Sequence, residues 1–287
     1  MERGRLLTER IDAHHHLWRY TPQEYGWIDE SMEMLRRDFG AADLKLEMDA
    51  AGVIGAVAVQ ARQTLEETRW LLDLAEKNDF IRGVVGWAPI AGEDFPGCME
   101  EFDGRTKLKG LRHVIQGEKD EEYILRADFN AGIEAMQGSG LVYDILIFER
   151  HLPQTIDFVD EHPKQIFVVD HVAKPLIAAG RMEPWATHLR DLAKRQNVFC
   201  KVSGMVTEAD WVGRPPGFAD EGLKRYLDVA VEAFGPQRLM AGSDWPVCLL
   251  GTSYAGWFGW LEGYFGRFSE GEREAVFGET ASFVYGL

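Results

Sequence analysis

Two histidines, His14 and His16, stand two residues apart in the run Arg10-Ile11-Asp12-Ala13-His14-His15-His16. Side chains of an extended strand alternate between faces, so His14 and His16 share a face with Asp12 while His15 turns away. Two neutral imidazoles on one face can grip a single divalent ion, and burying them without a partner is costly. The run is short for an affinity tag, and Leu17-Trp18 follows it in a strand-like frame. Far along the chain, His171 follows the apolar run Ile166-Phe167-Val168-Val169-Asp170, and Asp244 ends Met240-Ala241-Gly242-Ser243. Three imidazoles and a carboxylate around one space can hold a divalent ion. Ser203 and Ser243 lack a Gly-x-Ser-x-Gly elbow, which leaves a serine nucleophile without support.

Gathering His14, His171 and Asp244 needs a fold that brings the ends of distant segments together. Apolar runs of strand length occur at 10–16, 53–60, 81–88, 108–114, 141–148, 165–171, 198–203 and 238–244. Most are too continuously apolar to be half exposed, as expected of a parallel sheet covered on both faces. Helical periods lie between them. Thr64-Leu65-Glu66-Glu67 opens one with a capping-box pattern, and others run through 129–136, 154–161, 185–194 and 223–234, the last ended by Gly235-Pro236. Eight strands alternating with helices predict an α/β fold, a single (β/α)8 TIM-type barrel domain over 1–287. A doubly wound open sheet is the alternative. The barrel is favoured because Gln60, Arg62, Trp87, Arg112, His113, Tyr143, Asp144, His171, Lys201, Ser203 and Asp244 fall at or just past strand ends, where barrel enzymes keep their chemistry.

At those ends, Gln60, Arg62, Arg112, His113, Lys174 and Lys201 supply donors for directed hydrogen bonds to a ligand in a mostly apolar pocket. A structural salt bridge competes for each cation, Arg112 with Asp144 being one. Tyr143 and Trp211 offer a stacking face for a sugar ring, or simply pack. Residues 18–42 carry Trp18, Tyr20, Tyr25, Trp27 and Phe39, and read equally as a lid over a sugar-sized ligand or as aromatic packing on the barrel.

With 31 basic against 47 acidic side chains the 287-residue chain has a formal charge of −16, which argues against nucleic acid or an anionic membrane as partner. Its three cysteines, Cys98, Cys200 and Cys248, are too far apart for a zinc knuckle or a disulfide framework, so a reducing, cytoplasmic setting is expected. Neither a signal peptide nor an apolar stretch of membrane-spanning length is present, as in a soluble protein.

The ordered set of Asp12-x-His14-x-His16, Asp170-His171-Val172-Ala173-Lys174-Pro175 and Gly242-Ser243-Asp244-Trp245-Pro246 resembles the amidohydrolase superfamily. Ala58-Val59-Gln60-Ala61-Arg62, Lys109-Gly110-Leu111-Arg112-His113, Tyr143-Asp144-Ile145-Leu146 and Cys200-Lys201-Val202-Ser203-Gly204 look like its amidohydrolase-2 branch, which contains sugar lactonases of the L-fuconolactone type. The resemblance implies a small-molecule lactone substrate, opened to its acid by water that Asp244 activates. It also implies a metal or carbonyl-binding locus at His14, His16, His171 and Asp244. Two-metal members offer a carbamylated lysine after strand four and a histidine after strand five. Arg112-His113 and Tyr143-Asp144 stand there instead, and Lys109 is a poor substitute. At most one divalent ion, zinc first, is therefore expected, and some members work without any. Rival readings are an anionic pyrone or muconolactone as substrate, metal-dependent non-oxidative decarboxylation, and a barrel that only binds.

Overall fold

A computed structural model describes residues 9–209 and 220–287 of the chain. Its strands form one parallel sheet in sequence order, from β1 (Ile11–His15), β2 (Gly55–Val59), β3 (Ile81–Gly86) and β4 (Leu108–His113) through β5 (Val142–Ile145), β6 (Phe167–Val169), β7 (Val198–Val202) and β8 (Leu239–Ala241). The ring closes where β8 runs out: His15 bridges Trp245, Asp244 N donates to His14 O at 2.8 Å, and His16 N to Trp245 O at 2.6 Å. This is the predicted (β/α)8 barrel, and the open sheet is excluded.

Helices α1 (Ala41–Ala51), α2 (Leu65–Lys77), α3 (Phe95–Glu100), α4 (Ala127–Met136), α5 (Leu152–Glu161), α6 (Trp185–Leu192), α7 (Asp220–Phe234) and α8 (Tyr254–Phe265) follow their strands in turn. Two short helices, α9 (Glu270–Glu274) and α10 (Thr280–Tyr285), end the chain. Strand side chains divide by parity between two cores. Val57, Val59, Val142, Val168 and Phe199 fill the barrel interior, while Ala56, Ala58, Tyr143 and Phe167 join the larger core under the helices. Ala281 and Tyr285 of α10 belong to the interior cluster, so the C-terminal helix plugs the end of the barrel opposite the active-site face. Thr64 caps α2 by accepting from Glu67 N at 3.2 Å, but Glu67 does not return the bond as a capping box requires; its carboxylate turns to the loop after β2.

Several strands end earlier than their apolar runs. His171, Val172, Ala173 and Lys174 all take positive φ, between 47° and 58°, and Asp244 sits at φ 56°. Such left-handed steps cost roughly 1–2 kcal/mol each in non-glycine residues, and for β-branched Val172 the conformation is a true outlier. They lift the chain out of the sheet where the site lies, the usual location of stored strain. β1 carries the other irregularity: Asp12 pairs with Ala56 but His15 with Ala58, so one extra residue sits in β1. That bulge breaks the alternation on which Asp12 and His14 were placed on one face.

Candidate active site

Asp12 is accordingly not part of the reactive cluster. Its Oδ1 accepts from His14 N at 3.1 Å and Ser243 N at 2.8 Å, and its Oδ2 from Ser243 Oγ at 2.6 Å. It clips β1 to the turn bearing Asp244. Beyond the bulge, His14 and His16 converge, with their Nε2 atoms 3.2 Å apart. Asp244 Oδ1 lies 3.3 Å from His16 Nε2 and 3.7 Å from His14 Nε2, completing a triangle of donor atoms. His171 Nε2 stands at its edge, 4.0 Å from the same oxygen. His15 is buried apart from them with neither ring nitrogen hydrogen-bonded.

Each imidazole is fixed from behind. His16 Nδ1 donates to Val59 O at 2.8 Å, which leaves its Nε2 lone pair facing the triangle. His171 Nδ1 and Ser203 Oγ are 2.9 Å apart. Two glycines make room: a Cβ at Gly204, where φ is +62°, would stand 2.4 Å from His171 Nδ1, and one at Gly242 would stand 2.8 Å from His14 Cβ. Burial holds His14 well below the ordinary imidazole pKa, Asp170 only partly opposing it, and pushes His171 down to about 4. For Asp244 burial works upward, yet His171 and the hydrogen bond to His16 outweigh it and keep the carboxyl below its usual range. Neutral imidazoles and an ionised carboxylate are the forms in which these groups bind a divalent metal.

The donor set fits such an ion. Tetrahedral ligands at about 2.0–2.1 Å from zinc lie roughly 3.3–3.4 Å from each other, close to the 3.2, 3.3 and 3.7 Å edges of the His14–His16–Asp244 triangle. A second group, His14, Asp170 and His171, also converges. Its carboxylate is already committed, because Asp170 Oδ2 takes Arg112 Nη1 at 2.9 Å and Oδ1 lies 3.1 Å from Lys201 Nζ. Lys109 turns away, donating to Gly286 O at 2.7 Å.

A cavity of about 810 Å³ opens above the triangle, within the range of small-molecule sites. His16, His171 and Asp244 reach it, as do Arg62, Arg112 and Lys174. Among the described residues, Gln60, His113, Tyr143 and Lys201, also expected to touch substrate, do not. Lys201 is fully buried below His14, bonded to Asp144, 3.1 Å from Asp170 Oδ1 and 3.2 Å from His14 Nδ1. Gln60 is also buried and holds Arg112, its carbonyl accepting from Nη2 while its side-chain amide donates to Arg112 O at 3.3 Å. His113 and Tyr143 occupy the outward parity of β4 and β5. His113 stacks on Tyr123 with centroids 4.8 Å apart and meets Glu118 at 2.7 Å, whereas Tyr143 packs among Phe129, Phe158 and Phe167. Trp211 lies outside the described residues.

The expected Arg112–Asp144 bridge is absent, although the two are register partners. Arg112 reaches up to Asp170, while Asp144 meets Lys201 and accepts from Tyr285 Oη at 2.8 and 3.0 Å. Asp170, Tyr285 and Glu24 are the participants not singled out from the sequence. A carboxylate ending the wholly apolar run 166–169 was the available sign of Asp170, and nothing in the chain marks the other two. Residues 18–42 do pack as aromatics, with Trp18, Tyr25 and Phe39 buried, yet Glu24 and Trp27 from the same segment line the cavity.

The amidohydrolase profile Amidohydro_2 matches residues 11–287. The chain belongs to the amidohydrolase family. This amidohydrolase is 41% identical over 285 residues to an L-fucono-1,5-lactonase of Burkholderia multivorans, covering 97% of this chain and 96% of that protein. An L-fucono-1,5-lactonase of Burkholderia ambifaria is 36% identical, with 97% and 96% covered. A Burkholderia multivorans amidohydrolase solved with bound zinc superposes at TM-score 0.94 with 41% identity, covering 97% of this chain and 99% of that one.

Proposed function

We propose that this amidohydrolase hydrolyses a sugar lactone of the L-fuconolactone type to its open-chain acid, with Asp244 as general base. At the level of reaction class the chain is a lactone hydrolase, in line with its curated relatives, an L-fucono-1,5-lactonase in each Burkholderia species. The observation that carries the assignment of Asp244 is its Oδ1, held ionised at the cavity floor within 3.3 Å of His16 Nε2 and 4.0 Å of His171 Nε2.

Asp244 takes a proton from water as the oxygen attacks the lactone carbonyl, and returns it to the ring oxygen as the ring opens. Its low pKa keeps the base form present but weakens its pull on the proton, so the carbonyl must be polarised. His14, His16 and Asp244 would hold a divalent ion, zinc first, which supplies Lewis acidity to that carbonyl when bound. His171 and Arg112 face the same space and stabilise the developing oxyanion. Arg62 and Lys174 orient the hydroxyls of the ring. No covalent nucleophile is required.

Lactones of the L-fuco, L-rhamno, L-galacto and D-arabino series, assayed by acid release with and without chelator, test this reading. Turnover of the L-fuco lactone is expected, with kcat lowered about 10²–10⁴-fold in Asp244→Asn. Inactivity across the series would overturn the substrate class, and an undiminished Asp244→Asn variant would overturn the base. Full activity after chelation would remove the ion and leave carbonyl polarisation to the imidazoles and Arg112. The three cysteines are free, which suits a cytoplasmic setting. No helix among the described residues is long and apolar enough to cross a membrane.

A further inference from the structure

Resting on the lactonase reading, we propose that Glu24 is a specificity-determining residue: paired with Arg62, it selects neutral polyhydroxylated lactones and turns away lactones that carry a carboxylate. Among the described residues, the lysines and arginines lining the cavity are Arg62, Arg112 and Lys174. Each already faces a carboxylate: Arg62 is ion-paired to Glu24, Arg112 Nη1 lies 2.9 Å from Asp170 Oδ2, and Lys174 Nζ lies 3.7 Å from Glu208 Oε1. Asp170 is shared with the buried Lys201, so the Arg112 pair belongs to the barrel interior. Glu24 differs in coming from residues 18–42, the segment that walls the cavity, and in lining the cavity itself.

The Arg62 side chain is held on several sides. Its Nη1 bonds Glu24, its Nε lies 3.7 Å from Glu67 Oε1, and its guanidinium sits 5.5 Å from the Tyr25 ring centre. Thr21 Oγ1 donates to Glu24 Oε2 at 3.0 Å and steadies the carboxylate. Burial lifts Glu67 to about 7, which weakens it as an anionic partner of Arg62 near neutral pH. A hydroxyl can serve both partners at once, accepting from the guanidinium and donating to the carboxylate. A substrate carboxylate can accept only. It must displace Glu24 or lie beside it, and like charges brought together at an interface are strongly disfavoured.

L-Galactono-1,4-lactone and L-galactaro-1,4-lactone differ in having a hydroxymethyl or a carboxylate at the same carbon, and calorimetric binding of both, with Asp244→Asn present in every protein compared so that neither is turned over, isolates that charge. With Glu24 and Arg62 intact, the neutral lactone should bind more tightly. Glu24→Gln should tighten the anionic lactone about tenfold without tightening the neutral one. In Glu24→Gln/Arg62→Gln the gain should vanish, because the guanidinium released by the first change is gone. An unchanged Kd for the anion in Glu24→Gln, persistence of the gain when both residues are changed, or a preference for the anion with Glu24 and Arg62 intact would each overturn the proposal. Failure of the wild type to hydrolyse neutral lactones would overturn the functional reading instead, while these binding comparisons would still judge Glu24.

Discussion

The barrel interior and the cavity mouth hold the same kinds of ion pair in opposite surroundings. Inside, Lys201, Asp144 and Asp170 have side chains 0% exposed, and Arg112 is 4% exposed. At the mouth, the Arg62 and Glu24 side chains are 19% and 47% exposed. Burying charge carries a desolvation penalty of several kcal/mol per ion, offset only where partners and hydrogen bonds are complete. The interior group approaches that condition through Tyr285, Arg112 and His14, with Asp170 Oδ1 and Arg112 Nε left without a hydrogen bond, so its members stand or fall together. The mouth pair, with Glu24 half exposed, is open to water on one side and holds little folding energy. It is free to be tuned for what it lets in.

Removing one member of the interior should therefore have the largest effect on stability. Lys201→Met leaves Asp144 and Asp170 without their shared cation, and a loss of about 3–5 kcal/mol is expected from denaturant unfolding. Asp144 is already raised to about 6, by burial first and by Asp170, with Lys201 opposing; without Lys201 it should take up a proton. An unchanged midpoint would mean the interior is held by packing alone. Tyr285→Phe keeps the ring in the plug and deletes only the hydroxyl bonded to Asp144, for an expected loss of about 1.5–3 kcal/mol. A smaller loss from Lys201→Met than from Tyr285→Phe would reverse the ranking of the two contacts.

This division was only half legible in the sequence. Apolar runs separated by helical periods were enough for the barrel, and the barrel was enough to bring His14, His16, His171 and Asp244 together. Parity was not legible, because strands buried on both faces show no alternation to fix the phase. Arg112 and His113 are neighbours, as are Tyr143 and Asp144, yet one of each pair faces inward and the other joins the helical layer. The extra residue in β1 turned Asp12 away from the face of His14 and His16 for a related reason, since a bulge leaves no compositional mark. Depth along the barrel axis was hidden too. Lys201 and Lys174 both follow the strand-end pattern, but one lies beneath His14 and the other lines the cavity.

The mouth should respond more to pH and to substrate than to the loss of an ion pair. Glu67 accepts from Ala61 N at 2.9 Å and Arg62 N at 2.6 Å, and burial raises its pKa from 4.5 to about 7 against those bonds and the nearby Arg62. A folded-state carboxyl that holds its proton more tightly than the unfolded one stabilises most below pH 4.5, and that contribution is lost as pH rises through about 7. Glu67→Gln imitates the protonated form, so the wild type should match it near pH 4 and fall behind at pH 8 by about 3 kcal/mol. A wild type that gained on the variant as pH rose would show Glu67 to be stabilised as an anion.

Glu24→Gln should move the unfolding free energy by less than about 1 kcal/mol, the scale of an exposed ion pair. A loss as large as that of Tyr285→Phe would mean that Glu24 anchors residues 18–42 to the barrel. Its effect on anionic lactones would then have to be separated from loosening of the wall itself, by comparing Glu24→Gln with Thr21→Val, which removes the hydroxyl that steadies Glu24 while keeping its charge.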